Sequence, residues 1–295
     1  MMNKKKKKRV YPSAHEGARS AEMFLPTPQT ESPTYRLAYM DNEFILRDEL
    51  RPIRLQLELL KPEMIQQEHG IEGTIVIFGS TRIPDPETAR NQLVLAETAA
   101  DEDPANKTLA REVDIARRMV EKARYYEEAR KLGNIITDTC QNSSSCSLVV
   151  VTGGGPGIME AANRGAHDAG GKSIGLNIVL PFEQAPNAYI TPELSFQFHY
   201  FAIRKMHFLM RARALIVFPG GYGTMDELFE TLTLIQTRKV KPVPVLLFGQ
   251  GFWERIINFE ALVDEGTISP EDLDLFQFVE TAEEAWQVIR ERSEE

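Results

Sequence analysis

Cysteine is almost missing from this sequence, with Cys140 and Cys146 the only two in 295 residues. Two thiols cannot build a disulfide scaffold or fill a four-ligand zinc site, so both are expected as reduced thiols in a cytoplasmic protein. Long apolar runs are missing too. No stretch approaches the roughly 18 to 20 residues of a membrane span. With 42% hydrophobic and 26% charged residues, a globular chain with no membrane partner is expected. The five histidines (His15, His69, His167, His199 and His207) show no H-E-x-x-H or other ligand spacing, which leaves a catalytic metal without a cage. No G-x-S-x-G elbow signals a serine hydrolase.

Nucleotide signatures of the commonest kinds also fail. Gly153, Gly155 and Gly157 do not give G-x-G-x-x-G, and Asn177 stands where an NAD site would end its next strand in an acid. Gly165 to Ser173 resembles a P-loop but has five residues where four are required, and it lies between a helix and a strand.

Positive charge is scarce outside the first residues. Residues 1–36 hold eight Lys or Arg against three Asp or Glu, leaving 26 against 40 in the rest, a net charge of −14. That field repels polyanions, so a nucleic-acid partner is not expected and a small phosphorylated ligand must rely on local donors. The run Lys4 to Arg9, followed by small polar residues and prolines at 12, 26, 28 and 33, reads as a disordered basic tail over 1–36. No apolar segment follows it as in a secretory signal.

Residues 37–295 read as a single domain. Helical spacing from Asp41 to Gln67, interrupted by Pro52 and Pro62, predicts one or two leading helices. Thr74 to Phe78 is a β-rich run ending in Gly79-Ser80-Thr81-Arg82, which reads as a first buried strand with a ligand-facing turn. The charged, Ala-rich segment Ile83 to Ile136, broken near Asp101 to Pro104, reads as an insertion of two helices. Then strands and helices alternate: strand Leu148 to Val151, helix Ile158 to Ala169, strand Ser173 to Leu176, helix Phe201 to Arg213, strand Ala214 to Phe218, helix Met225 to Thr237, strand Val243 to Phe248 and terminal helices. Such alternation predicts an α/β fold: a Rossmann-like, doubly wound parallel sheet with helices on both faces, plus extra N-terminal helices and the helical insertion.

Two glycine loops then lie at carboxyl ends of strands, where such sheets bind ligands. One is Gly153-Gly154-Gly155-Pro156-Gly157; the other is Pro219-Gly220-Gly221-Tyr222-Gly223-Thr224, followed by Glu227. Glycines admit close approach of the backbone, and the free N–H groups of a first helical turn favour an anion, most naturally a phosphate. Glu227 is a carboxylate one turn inside that helix, which points to chemistry rather than grip. The plainer reading is a tight turn with a first-turn acid that suits the helix dipole. Arg204 and Lys205, on the helix that feeds the preceding strand, are by the same plain reading solvated or paired surface bases.

The helix Arg204-Lys205-Met-His-Phe208 and the loop Pro219 to Glu227 together resemble the R-K-x-x-[MF] and P-G-G-x-G-T-x-x-E signature of the LONELY GUY (LOG) family, the cytokinin riboside 5′-monophosphate phosphoribohydrolases. The likeness spans roughly Thr74 to Trp286 and takes in Gly79-Ser80, the Gly153 loop, Lys241-Pro-Val and Glu265-Gly-x-Ile-Ser269. Members often carry a lysine decarboxylase label, but the chain offers no clear pyridoxal-phosphate lysine. The resemblance implies hydrolysis of the N-glycosidic bond of a purine nucleoside 5′-monophosphate, cytokinin-type or AMP, to free base and ribose 5-phosphate, with no cofactor. It implies Glu227 and Arg204 as catalytic residues. Gly220, Gly221, Gly223 and Thr224 would receive the phosphate; Gly79, Ser80, Gly153, Gly154, Gly155 and Gly157 would close around ribose and base; Lys205 would support binding. It also implies a homodimer or higher homo-oligomer. The greater length and the turn Phe78-Gly79-Ser80-Thr81 in place of Cys-Gly-Ser-Ser place the chain with a longer subgroup and leave the base open. The competing reading is a nucleotide or molybdenum-cofactor carrier on the same fold, without turnover.

Overall fold

A computed structural model describes residues 11–142, 147–181 and 185–293, in two compact units that divide between Leu57 and Glu58. The first unit contains helix α1 (Ala14–Ala21), inside the segment read as a tail, and α2 (Asn42–Ile45). A capping box starts α1: the Ser13 side chain accepts from the Glu16 N–H, and Glu16 reaches back to the Ser13 N–H at 2.6 Å. The run Lys4 to Arg9 lies outside the described residues.

Helix α3 (Arg51–Glu68) continues through both prolines that were expected to interrupt it. Pro52 sits in the first turn, where a missing N–H has no intrahelical partner to lose. The sheet then forms from β1 (Gly73–Phe78), β2 (Leu148–Thr152), β3 (Ser173–Ile178), β4 (Ser195–Phe198), β5 (Ala212–Val217), β6 (Val245–Phe248) and β7 (Gln277–Val279). All pairs are parallel, in the order β4-β3-β2-β1-β5-β6-β7. The helices are α4 (Pro86–Glu102), α5 (Lys107–Lys122), α6 (Arg124–Thr137), α7 (Ile158–Asp168), α8 (Phe201–Met210), α9 (Tyr222–Gln236), α10 (Gln250–Ile256), α11 (Phe259–Asp264) and α12 (Ala282–Ser293).

Parallel strands covered on both sides need apolar residues on both faces, and β1 supplies them alternately. Ile75 and Ile77 join a core with Leu132 and Ile136 of α6, Ile158 of α7 and Ile289 of α12; Val76 and Phe78 join one with Phe208 of α8, Leu228 of α9 and Trp253 of α10. The expected doubly wound sheet is present, with β4 and β7 as edge strands that the sequence pattern did not separate.

The segment expected as an insertion of two helices holds three. Helices α4 and α5 precede α6, which is a cover of the sheet: Tyr126, Ala129, Leu132 and Ile136 are buried, and Gly133 and Gly165 let the α6 and α7 backbones approach so closely that a Cβ at either would run into a main-chain carbonyl. Cys140, just beyond α6, is buried and disulfide-bonded, which corrects the expected reduced thiol. Two cysteines are too few for a scaffold, but that count does not exclude a single bridge. Cys146 lies outside the described residues.

Candidate active site

The strand order reverses between β1 and β5, which lie side by side although β2, β3 and β4 come between them in sequence. Open α/β sheets bind ligands at the carboxyl ends of strands at such a point. Three loops meet there. The Ser80 N–H donates to the Pro219 carbonyl at 3.0 Å and the Ser80 carbonyl accepts from the Ile158 N–H at 3.1 Å, so one residue ties the β1 turn to both glycine loops. Its Oγ accepts from the Arg82 N–H at 3.0 Å, closing the turn.

Between these loops lies a cleft of about 540 Å³ lined by Phe78, Gly79, Ser80, Thr81, Arg82, Gly153, Met159, Phe201, Arg204, Gly221, Tyr222, Gly223, Thr224, Asp226 and Glu227. Of the residues singled out by sequence, Gly79, Ser80, Gly153, Arg204, Gly221, Gly223, Thr224 and Glu227 are brought together in this lining. Gly154, Gly155, Gly157, Gly220 and Lys205 are outside it.

Helix α9 opens on the cleft three residues earlier than the pattern predicted, at Tyr222 with Gly221 as N-cap. No side chain caps it and no acid stands in its first turn. First-turn N–H groups have no partner within a helix, so this mouth presents donors and the positive end of the dipole to the cleft. A Cβ at Gly220 would meet the Thr224 side chain, so that glycine serves packing. A Cβ at Gly221 or Gly223 would meet nothing within 4 Å. Those two glycines leave room that no protein atom fills.

Arg204 is aimed from α8. Its Nε donates to the Leu176 carbonyl at the end of β3 at 2.7 Å, its guanidinium carbon lies 5.1 Å from the Phe208 ring centre, and a Cβ on Gly153 would fall 2.7 Å from its Nη2. Glycine at 153 is therefore what lets the guanidinium lie against the loop. The start of α8 is fixed in turn by Glu58, whose carboxylate accepts from the His199 and Tyr200 N–H groups at 2.8 and 3.1 Å. His207 is buried on α8, with its Nε2 3.3 Å from the Glu58 carbonyl.

Glu227 is 7% exposed, and burial pushes its pKa up to about 7 against the pull of Lys205 and Arg204. Neighbouring Glu230 and Asp226 push the same way as burial. The carboxyl is thus poised to change protonation near neutrality, as a general base or acid requires. Lys205 Nζ lies 2.8 Å from both Asp226 Oδ2 and Glu230 Oε2. Although burial opposes its charge, these partners hold its pKa up, so it acts on Glu227 through the field rather than by lining the cleft.

The Gly153 to Gly157 loop is braced by a residue with no signal in the sequence. Asn187 Nδ2 donates to the Gly154 and Gly155 carbonyls at 3.2 and 3.1 Å and to Asn163 Oδ1 at 3.0 Å, while its own N–H donates to Gly154 O at 2.9 Å. Arg82, Phe201, Tyr222 and Asp226 were also missed as lining residues, although each lies within a segment whose neighbours were identified. Among the described residues there is no cluster of side chains that could hold a metal, and no helix is long and apolar enough to cross a membrane.

A family model described as "Possible lysine decarboxylase" matches residues 159–289, a span that contains Arg204 and the α9 mouth. The chain is 30% identical over 175 residues to "Cytokinin riboside 5′-monophosphate phosphoribohydrolase LOG3" of Arabidopsis thaliana, covering 58% of this chain and 76% of that relative. It is 33% identical over 154 residues to "Probable cytokinin riboside 5′-monophosphate phosphoribohydrolase LOGL5" of Oryza sativa subsp. japonica, covering 50% of this chain and 58% of the relative. Among solved structures it is similar to TM1055 (19% identity, TM-score 0.44, 74% of this chain and 99% of that one) and to the molybdenum cofactor carrier protein of Chlamydomonas reinhardtii (18% identity, TM-score 0.43, 76% and 99%). Likenesses at that level carry no argument about activity.

Proposed function

The chain belongs to the LONELY GUY family of cytokinin riboside 5′-monophosphate phosphoribohydrolases, and from that premise we propose that it hydrolyses the N-glycosidic bond of a purine nucleoside 5′-monophosphate, cytokinin-type or AMP, to free base and ribose 5-phosphate. The observation that carries the reading is Glu227: a buried carboxyl with a pKa of about 7, set in the same cleft as an uncapped helix mouth. A phosphate carrier needs the mouth. It has no use for a carboxylate beside it, where negative charge weakens an anion's hold.

The residues divide the work as follows. The first-turn N–H groups of α9 and the Thr224 hydroxyl hold the phosphate, with Gly221 and Gly223 giving it close access. As the C1′–N bond breaks, its electron pair leaves with the base and positive charge develops on the ribose. Water adds at C1′ and gives up a proton to ionised Glu227, whose negative charge also favours that ribose cation; the departing base takes up one proton, and Glu227 returns its own to solvent, so the products are free base and ribose 5-phosphate. Arg204, on the neighbouring helix α8 and held against Gly153, donates to the substrate.

Incubation of purified protein with AMP and with isopentenyladenosine monophosphate, following free base and ribose 5-phosphate by chromatography, tests this directly. Wild type should release both products. Glu227→Gln should retain nucleotide binding while kcat falls by about 10² to 10⁴, the range for a lost general acid or base. Nucleotide bound without turnover by wild type would put the carrier reading in its place.

A further inference from the structure

The cleft asks for more positive charge than the residues assigned so far supply. A phosphate monoester carries about 1.5 to 2 negative charges at neutral pH. The mouth of a helix offers only about half a unit of positive charge, and Asp226 and Glu227 line the same space. Lys205 is outside the lining and committed to Asp226 and Glu230. Besides Arg204, the lining contains one other cation, Arg82.

Arg82 belongs to the β1 turn, which the Ser80 N–H ties to the Pro219 carbonyl just ahead of α9. Its main chain is fixed from two directions: its N–H donates to Ser80 Oγ at 3.0 Å, and the next residue, Ile83, is buried in the core shared by β1, α6 and α7. The side chain itself is exposed. Among the described residues its guanidinium forms no ion pair and no hydrogen bond, whereas Arg124, Arg130 and Arg211 are each paired with a carboxylate. A planar fork of donors on an anchored backbone, uncompensated at the rim of a cleft in a chain of net charge −9, matches two oxygens of a phosphate.

Building on the phosphoribohydrolase reading, we propose that Arg82 is a second contact to the phosphate of the substrate, closing over the anion from the β1 turn while the α9 mouth holds its other side. The ligand class this selects is a monophosphate ester of a sugar or nucleoside, recognised by its phosphate and not by its base.

Calorimetric titration of wild type, Arg82→Ala and Arg82→Lys with ribose 5-phosphate, together with steady-state kinetics on AMP, tests the assignment. Arg82→Ala should raise the Kd for ribose 5-phosphate and the KM for AMP about tenfold or more, the loss of a charge-assisted hydrogen-bonded contact. Its kcat should be essentially unchanged, as for binding made equally in ground and transition states. Thermal stability should be unaffected, Arg82→Lys should recover part of the affinity, and the difference should narrow at high salt. Unchanged affinity for ribose 5-phosphate in Arg82→Ala, or a loss in kcat at constant KM, overturns the proposal, as does failure of wild type to bind ribose 5-phosphate. Should wild type bind ribose 5-phosphate more tightly than Arg82→Ala yet turn over no AMP, the reaction falls and the phosphate contact stands.

Discussion

The loop after β2 and the loop after β5 look alike in sequence, each an apolar strand running through glycines into a helix, and they differ in what surrounds the glycines. After β2, Gly154 and Gly157 have φ of 78° and 72°, and a Cβ at Gly157 would lie 2.9 to 3.0 Å from the main chain of Thr81. A Cβ at Gly154 would strike the Asn177 amide, and Asn187 pins the neighbouring carbonyls. After β5, Gly221 and Gly223 have negative φ or helical geometry and face open space. One loop is glycine-rich because the protein crowds it. In the other Gly220 is crowded by Thr224, but Gly221 and Gly223 stand where nothing of the protein is near, which is the pattern expected when the crowding partner is a ligand.

Substitutions can break that comparison or sharpen it. The largest effect concerns the α9 side. Because folded Glu227 holds its proton to about pH 7 and an unfolded glutamate releases it near 4.5, the folded chain binds the extra proton between those values, and stability falls as pH rises through that window. The penalty amounts to about 3 kcal/mol at pH 8. Glu227→Gln should therefore melt above wild type at pH 8 and converge with it below pH 4.5, seen in thermal scans across pH; parallel curves would mean that burial does not govern this carboxyl. Next in size is Gly154→Ala, expected to lose about 1–3 kcal/mol of stability from left-handed backbone and steric conflict, read as a lowered denaturation midpoint. The smallest is Gly223→Ala, which should gain up to about 1 kcal/mol because alanine suits a helix better than glycine, while weakening ribose 5-phosphate binding. A Gly223→Ala protein that binds as well as wild type would remove the distinction between the loops.

Much of this was legible before any coordinates. Strand Leu148 to Val151 and strand Ala214 to Phe218 are continuous apolar runs, and such runs followed by glycines have few interpretations in an α/β chain. The edges were not legible. Strand β4 alternates exposed and buried residues over four positions, and β7 is three residues with only Val279 fully buried, so neither yields a run long enough to notice. The start of α9 was placed late because Tyr222-Gly223-Thr224 has poor helix propensity, and tertiary context overrides it. In the segment read as an insertion of two helices, α6 is a third helix that covers the sheet, with Gly133 in close contact with α7. Arg204 and Glu227 could be named from the motifs they resemble. Asn187 needed the fold, because what marks it is where it lies and not what flanks it; Arg82 belongs to a turn legible as ligand-facing, but the fold was needed to single out its side chain.

The two walls of the cleft are built at different times. Val76 of β1 pairs with Leu215 of β5, so the first wall leaves the ribosome with the early strands while the second waits for β5 and α9. A nascent chain that ends at β4 has the β1 turn and the Gly153 loop but not yet the α9 mouth. Insertion of β5 beside β1 is a non-local event, the slow kind in folding. Any metabolite that the finished cleft binds stabilises only chains that have completed that step, by RT ln(1 + [L]/Kd). On the proposed function, the supply of nucleotide would then act on the yield of folded protein as well as on its turnover.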